Sequence, residues 1–313
     1  MKKPNGLSAI ECQFRESFWQ INATENGYEV IDTLERFQQY RDVDLFHLCG
    51  VYSKLGVPVE VSEIEYEKYK QHTPVHGVLM NYADLVCDAV KKGNAVLVPT
   101  GYCMYAPAIA GGIQRAIGTD KTIGLVWIDA HADNRIIENA PSTRFVGIPM
   151  STMLGQTYPE WRINSCGLEV PLHGENVIAS DIRICDEPSL QNMIDSSIIH
   201  LTSSDFENES AWKNAITRLA DRVDAIYLSI DMDILQNEYT PAYIKNVPGG
   251  HSVDVVMRNV RSVMESNKVQ ALSLFCADFD RCENEKASEW TYLNAMKIIA
   301  AGLESWKAIP SLI

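Results

Sequence analysis

Two short runs in this chain place carboxylates and an imidazole at spacings that suit divalent cations: Asp129-Ala130-His131-Ala132-Asp133 and Asp231-Met232-Asp233. Four carboxylates brought to one crevice repel one another strongly unless cations neutralise them. On an extended strand, residues two apart face the same side at about 6.6–7 Å, too far for one ion with bonds of ~2.0–2.2 Å. The first run must therefore bend into a loop or share its members between two ions, and a pair of ions ~3.5–4 Å apart suits this supply of ligands well. The plainer alternative is that Asp129 and Asp231 cap turns, because acids are common at strand ends. Either run alone is compatible with that; both together are harder to explain without metal. A carboxylate-rich set with one imidazole suits Mn²⁺ or Mg²⁺ better than Cu²⁺ and leaves Zn²⁺ and Fe²⁺ open.

Each run follows a short apolar stretch, and the chain repeats that theme: apolar run, turn, helical pattern. The runs at 45–49, 95–99, 123–128, 177–180, 225–230 and 271–275 read as buried central strands. Helical patterns lie between them at about 78–92, 106–117, 188–194, 209–221, 253–266 and 287–303, with Ser252 as an N-cap. Alternation of this kind predicts a doubly wound, mainly parallel α/β sheet, in which ligands bind outside the carboxyl ends of the strands. Both acidic runs fall at such ends. No repeat, linker or low-complexity segment divides the chain, so residues 1–313 read as one domain. Residues 1–77 carry little motif information and are expected to add an edge strand and a cover near the crevice.

Composition bounds the function from outside. At 313 residues, with 46% hydrophobic and 22% charged, the chain can bury a large core without a disulfide or metal staple. No apolar stretch reaches the ~18 residues of a membrane span, and no apolar run follows the charges at the N-terminus, so a cytoplasmic protein is expected. A net charge of −14 from 27 basic and 41 acidic residues disfavours nucleic acid and anionic membranes as partners. The eight cysteines, among them Cys103 and Cys276, form no C-x-x-C pair. Most are expected to be reduced, buried thiols.

The motifs resemble those of the ureohydrolase superfamily, which comprises arginases, agmatinases and formimidoylglutamases. The resemblance rests on 127–133 and 229–233, with support from Ser180-Asp181-Ile182-Arg183, from Thr240-Pro241 followed by Pro248-Gly249-Gly250, and from 147–155. It runs from about residue 78 to the C-terminus in the family's order. It implies a three-layer α/β/α fold, a homo-oligomer, and two Mn²⁺ ions held by Asp129, His131, Asp133, Asp231 and Asp233. It also implies a metal-bridging hydroxide that attacks a guanidinium or amidine carbon, with Asp133 placed to hydrogen-bond it. Asp129, His131 and Asp133 thus carry the catalytic roles, and Asn134, Arg144, Cys276 and His251 are candidates for binding a small guanidino or amidino substrate.

Three positions depart from the common pattern. Where most members have Gly-Gly-Asp-His, this chain has Thr100-Gly101-Tyr102-Cys103. Cys103 thus replaces a histidine ligand, as in the superfamily's N-hydroxyarginine hydrolases, and reads as a metal ligand ahead of an inert thiol. A thiolate would make the cluster more negative and tilt it toward Zn²⁺ or Fe²⁺. That predicts either an alkaline-shifted activity profile or a Cys103 that is protonated or weakly bound. Where arginases carry a proton-shuttling His stands Val146, which transfers no proton. Where arginases and agmatinases place a Glu for the guanidinium stands Cys276, with Asp278, Asp280 or Glu283 as possible substitutes. His251 reads mainly as a loop residue, with an acid/base role as the alternative.

These features predict a binuclear-metal hydrolase acting on a small guanidino or amidino compound other than arginine. Val146 and Cys276 together motivate a rival, a catalytically silent metal-binding homologue with a structural or regulatory role. A third reading, covalent chemistry through Cys103 or Cys276, lacks a base written beside either residue.

Overall fold

In the computed structural model, the described residues are 1–12, 14–15, 20–31, 35–36, 46, 49–139, 142–243, 247–277 and 284–312. Eight strands make the central sheet: β1 (Leu7–Glu11), β2 (Val59–Glu63), β3 (Ala95–Val98), β4 (Ile123–Ile128), β5 (Val177–Ser180), β6 (Ile199–Leu201), β7 (Ala225–Asp231) and β8 (Val269–Phe275). They lie in the order β6-β5-β4-β7-β8-β3-β1-β2, and every pairing is parallel. Eight α-helices accompany them among the described residues: α1 (Pro74–Lys91), α2 (Ala106–Ile117), α3 (Pro149–Met153), α4 (Glu187–Asp195), α5 (Ser203–Glu207), α6 (Glu209–Ala220), α7 (Val253–Met264) and α8 (Glu285–Ser305).

The three layers follow from alternation along the strands. In β7, Ala225 and Tyr227 point into a core shared with α1 and α2, whereas Ile226, Leu228 and Ile230 point into the opposite core, packed by α6, α7 and α8. Both faces are buried, which is why the central strands read as unbroken apolar runs. Helix starts are fixed by side-chain caps. Ser252 accepts from the Val255 N–H at the head of α7, and Asn284 accepts from the Ala287 N–H at the head of α8.

Five of the six expected strands are present, two of them with the expected bounds; the sixth, at 45–49, falls mostly outside the described residues. Of the other three strands of the central sheet, β2 is the edge strand expected from residues 1–77, and β1 and β6 were not anticipated. β2 is the outer edge and carries exposed charges, β6 is the three-residue edge opposite, and β1 is a five-residue strand interrupted by Ser8. Residues 1–77 thus supply β1 and β2, and Gln20–Thr24 and Gly27–Ile31 form a hairpin that pairs with Ser142–Arg144. Among the described residues no helix is long and apolar enough to cross a membrane.

Candidate metal centre

Register brings the acidic runs together. β4 and β7 pair with Ile128 opposite Ile230, so Asp129 and Asp231 emerge side by side from adjacent strands, whose spacing is ~4.8 Å. β7 and β8 pair with Asp231 opposite Phe275, which puts Cys276 immediately beyond. β8 and β3 pair with Ser273 opposite Val98, so the turn through Gly101 to Cys103 completes the row. Four neighbouring strands thus deliver their ligands to one edge of the sheet.

Past Asp129 the chain stops being extended. His131 makes a single bridge to Ile184, and Asp133 sits in the left-handed region at φ 45°. The run bends; Asp129 and His131 enter one group of ligand atoms, and Asp133 enters neither group found among the described residues. Asp129, His131 and Asp233 present ligand atoms within 4.8 Å of one another, and Cys103, Asp231 and Cys276 form a second group of the same kind. The carboxylates are pinned by backbone donors: the His131 N–H donates to Asp129 Oδ1 at 2.6 Å, the Ala130 N–H to Asp233 Oδ1 at 3.0 Å, and the Asp233 N–H to Asp231 Oδ1 at 2.9 Å. Asp129 and Asp231 therefore do close local turns as well, and the two roles coexist because each carboxylate has more acceptor sites than one N–H fills.

Electrostatically this is a crowded site. Asp129, Asp231 and Asp233 are 2–4% exposed. Burial, then repulsion from Asp233 and its neighbours, pushes Asp129 and Asp231 well above the usual carboxylate range. Burial also pushes Asp133 up to about 6. For His131, burial acts downward, but Asp129 and Asp233 override it and raise the imidazole to about 11. Its Nδ1 lies 2.7 Å from Asp233 Oδ2 and 3.7 Å from Asp129 Oδ1, so an imidazolium answers two carboxylates.

The sulfur group is equally buried. Cys103 donates to the Val146 carbonyl at 3.7 Å, which places Val146 against the same group. The Cys103 thiol is pushed up by its hydrogen bond with Cys276 and by burial. The Cys276 thiol is pulled down by that bond but pushed up more by burial and by Asp231.

Other candidate residues lie apart from these two groups. Asn134 is buried and tied to α4: its side chain donates to the Ser189 carbonyl at 3.4 Å and accepts from Asn192 at 3.0 Å. Arg144 is exposed, at the end of the strand that pairs with the hairpin. His251 is buried between Asp181 and Glu207; its Nδ1 meets Glu207 Oε1 at 2.5 Å, and its Nε2 is 2.9 Å from Asp181 Oδ2 without hydrogen-bond alignment. Asp278, Asp280 and Glu283, and also His47, lie outside the described residues.

Two further residues touch the centre. The Tyr243 hydroxyl donates to Asp231 Oδ1 at 3.3 Å. Arg183 donates through Nη2 to the Asp233 carbonyl at 2.7 Å and through Nε to the Pro248 carbonyl at 3.1 Å, and it pairs with Asp181. Arg183 is in the Ser-Asp-Ile-Arg segment already singled out in the sequence, whereas nothing in the pattern around Tyr243 marks it.

A parallel α/β/α sandwich with two ligand clusters on the carboxyl edge of adjacent central strands defines a class of metal-centred α/β proteins. The sequence profile described as "Arginase family" matches residues 15–299, and the chain belongs to that family. An arginase of Staphylococcus aureus (strain MSSA476) is 30% identical over 214 residues, 64% of this chain and 68% of that protein. The matches to such relatives span about two thirds of their length. Among solved structures, arginase from Bacillus subtilis superposes with a TM-score of 0.75 at 18% identity, covering 96% of this chain and 98% of that one. Formimidoylglutamase from the same species gives 0.70 at 14%, covering 98% and 88%.

The donors present fit two divalent ions. Ligand atoms around one tetrahedral ion with ~2.0–2.3 Å bonds lie about 3.3–3.8 Å apart, so each group, with its ligand atoms within 4.8 Å of one another, would draw inward to hold one. Cations would also relieve the carboxylate repulsion that raises Asp129 and Asp231.

Proposed function

We propose that this chain is a two-metal amidinohydrolase. Water adds to the central carbon of a small linear guanidino or amidino compound, a C–N bond breaks, and an amine leaves together with urea or a related amide. The observation that carries this reading is the convergence of Asp129, Asp231 and Asp233, all buried, with His131 at the ends of β4 and β7. Two divalent ions bound there, with Mn²⁺ expected at the oxygen-rich group, would supply Lewis acidity and acidify a water.

The remaining work falls to the chain's own residues. The Asp133 carboxylate, by the family resemblance, is assigned the hydrogen bond to the attacking water and the acceptance of its proton. Arg183 and the N–H groups of Ala130, His131 and Asp233 hold the ligand loops in place. Val146, against Cys103, has no proton to deliver to the leaving amine. That favours a leaving group that needs little help, as in an N-hydroxylated or otherwise weakly basic guanidine, over arginine.

The test is hydrolysis with Mn²⁺ added, read as urea from arginine and agmatine, hydroxyurea from N-hydroxyarginine and formamide from formiminoglutamate. Chelator-sensitive turnover, faster on N-hydroxyarginine than on arginine, is expected. Bound metal with no turnover on any of the four would contradict the reading, as would turnover that resists chelator but is lost on thiol alkylation.

A further inference from the structure

The two ligand groups share no residue and differ in chemistry. One is oxygen and imidazole: Asp129, His131, Asp233. The other is two sulfurs and one carboxylate: Cys103, Cys276, Asp231. We propose that Cys276 is a metal ligand and that, with Cys103 and Asp231, it makes a thiolate half-site that takes a thiophilic divalent ion such as Zn²⁺ or Fe²⁺, distinct from the half-site at Asp129, His131 and Asp233. This rests on the two-metal reading above and assigns different ions to its halves.

The backbone is arranged to bring the second sulfur in. Cys276 leaves β8 at φ 62°, a left-handed conformation that residues other than glycine rarely adopt. Its N–H donates to the Gly101 carbonyl at 2.8 Å, which fastens the end of β8 to the turn leading to Cys103. That turn in turn requires glycine, because Gly101 has φ 105° and a Cβ there would come within 2.8 Å of the Tyr105 ring. Two turns with positive φ, one at Gly101 and one at Cys276, thus converge to set both thiols beside Asp231. Buried cysteines usually behave as small apolar side chains, but here the thiols are hydrogen-bonded to each other, and Cys276 also to the Asp231 carboxylate, with all three ligand atoms within 4.8 Å. A cation takes the place of the protons that now link them.

Ligand softness then decides which ion. Thiolates select Zn²⁺ and Fe²⁺ over Mn²⁺, whereas carboxylate with imidazole accommodates Mn²⁺. Loading the sulfur half displaces the two thiol protons to solvent, so no oxidant or further reactant is needed.

The experiment uses full-length wild-type protein, stripped of metal and reloaded with one equivalent of Zn²⁺. X-ray absorption at the zinc edge should count two sulfur neighbours at ~2.3 Å. One sulfur, or none, overturns the proposal. Co²⁺ in place of Zn²⁺ should give a sulfur-to-metal charge-transfer band that Cys276→Ser reduces by about half and Cys103→Ser/Cys276→Ser abolishes. A band that Cys276→Ser leaves intact also overturns it. Metal content after a separate reloading with excess metal separates the two failures: two ions per chain without sulfur ligation sinks this inference and leaves the hydrolase reading standing, whereas a chain that retains no ion sinks both.

Discussion

The oxygen-rich and sulfur-rich halves of the centre are built by different means. In the first, each carboxylate is locked by N–H groups close to it in the chain or on the adjoining strand's loop: His131 to Asp129, Ala130 to Asp233. Arg183 adds a brace on the Asp233 carbonyl. In the second, Cys103 and Cys276 meet only because β3 and β8 are neighbours, and a left-handed residue on each side turns the chain inward. The first half is a motif; the second is a product of register. Tight local hydrogen bonding preorganises ligands before an ion arrives, whereas a site assembled across strands depends on the fold holding its turns.

The sharpest break between the halves is expected at Asp231, which belongs to the sulfur group and also anchors the Asp233 N–H. Asp231→Asn should remove metal from both halves and abolish turnover, while Cys276→Ser should leave the oxygen half able to bind. Metal content per chain, measured on both variants, checks this; an Asp231→Asn protein that keeps two ions would refute it. Arg183→Met should act more mildly, lowering metal affinity by about 10–100-fold as the loss of an outer brace does. A competition titration against a chelator reads that change, and unchanged affinity would show that the brace is dispensable.

The pH dependence has a definite sign. Burial raises Asp129 and Asp231, and His131 is lifted to about 11, so these groups hold protons that an incoming ion must displace. Metal affinity should therefore rise with pH, with proton release on binding. Isothermal titration in buffers of different ionisation enthalpy measures it, and pH-independent affinity would count against the assignment.

A third region, away from both halves, serves as a control. His76, in contact with Ser165 and Tyr158, is lowered by burial to about 4. Because the unfolded chain binds this proton more readily, stability is fully present above about pH 6.5 and falls as pH drops toward 4, by at most about 3 kcal/mol. His76→Gln should flatten that part of a pH-denaturation curve without changing metal content.

Much of this molecule could be read before its structure. The central strands are buried on both faces, so 123–128 and 177–180 stand out as unbroken apolar runs, and the structure returns those bounds. The edge strand expected within residues 1–77 could not be given bounds because β2 alternates Val with exposed Glu, and β6 carries too little pattern in three residues. The acids at the ends of β4 and β7 were legible because each run is contiguous. Cys276 stood out only as a departure from a family pattern; that its thiol meets Cys103 depends on strand order, which no local spacing encodes. Arg183 lay within a recognised segment, but its grip on the Asp233 carbonyl depends on how β5 packs beside β4.

The central claim is that acids from β4 and β7 gather around two cations. Anomalous diffraction from crystals of the full-length protein grown with Mn²⁺ and Zn²⁺ tests it most directly. Two peaks about 3.5–4 Å apart, one bonded to Asp129, His131 and Asp233 and the other to Asp231, are the expected result. A metal-replete crystal with no peak among these side chains would contradict it.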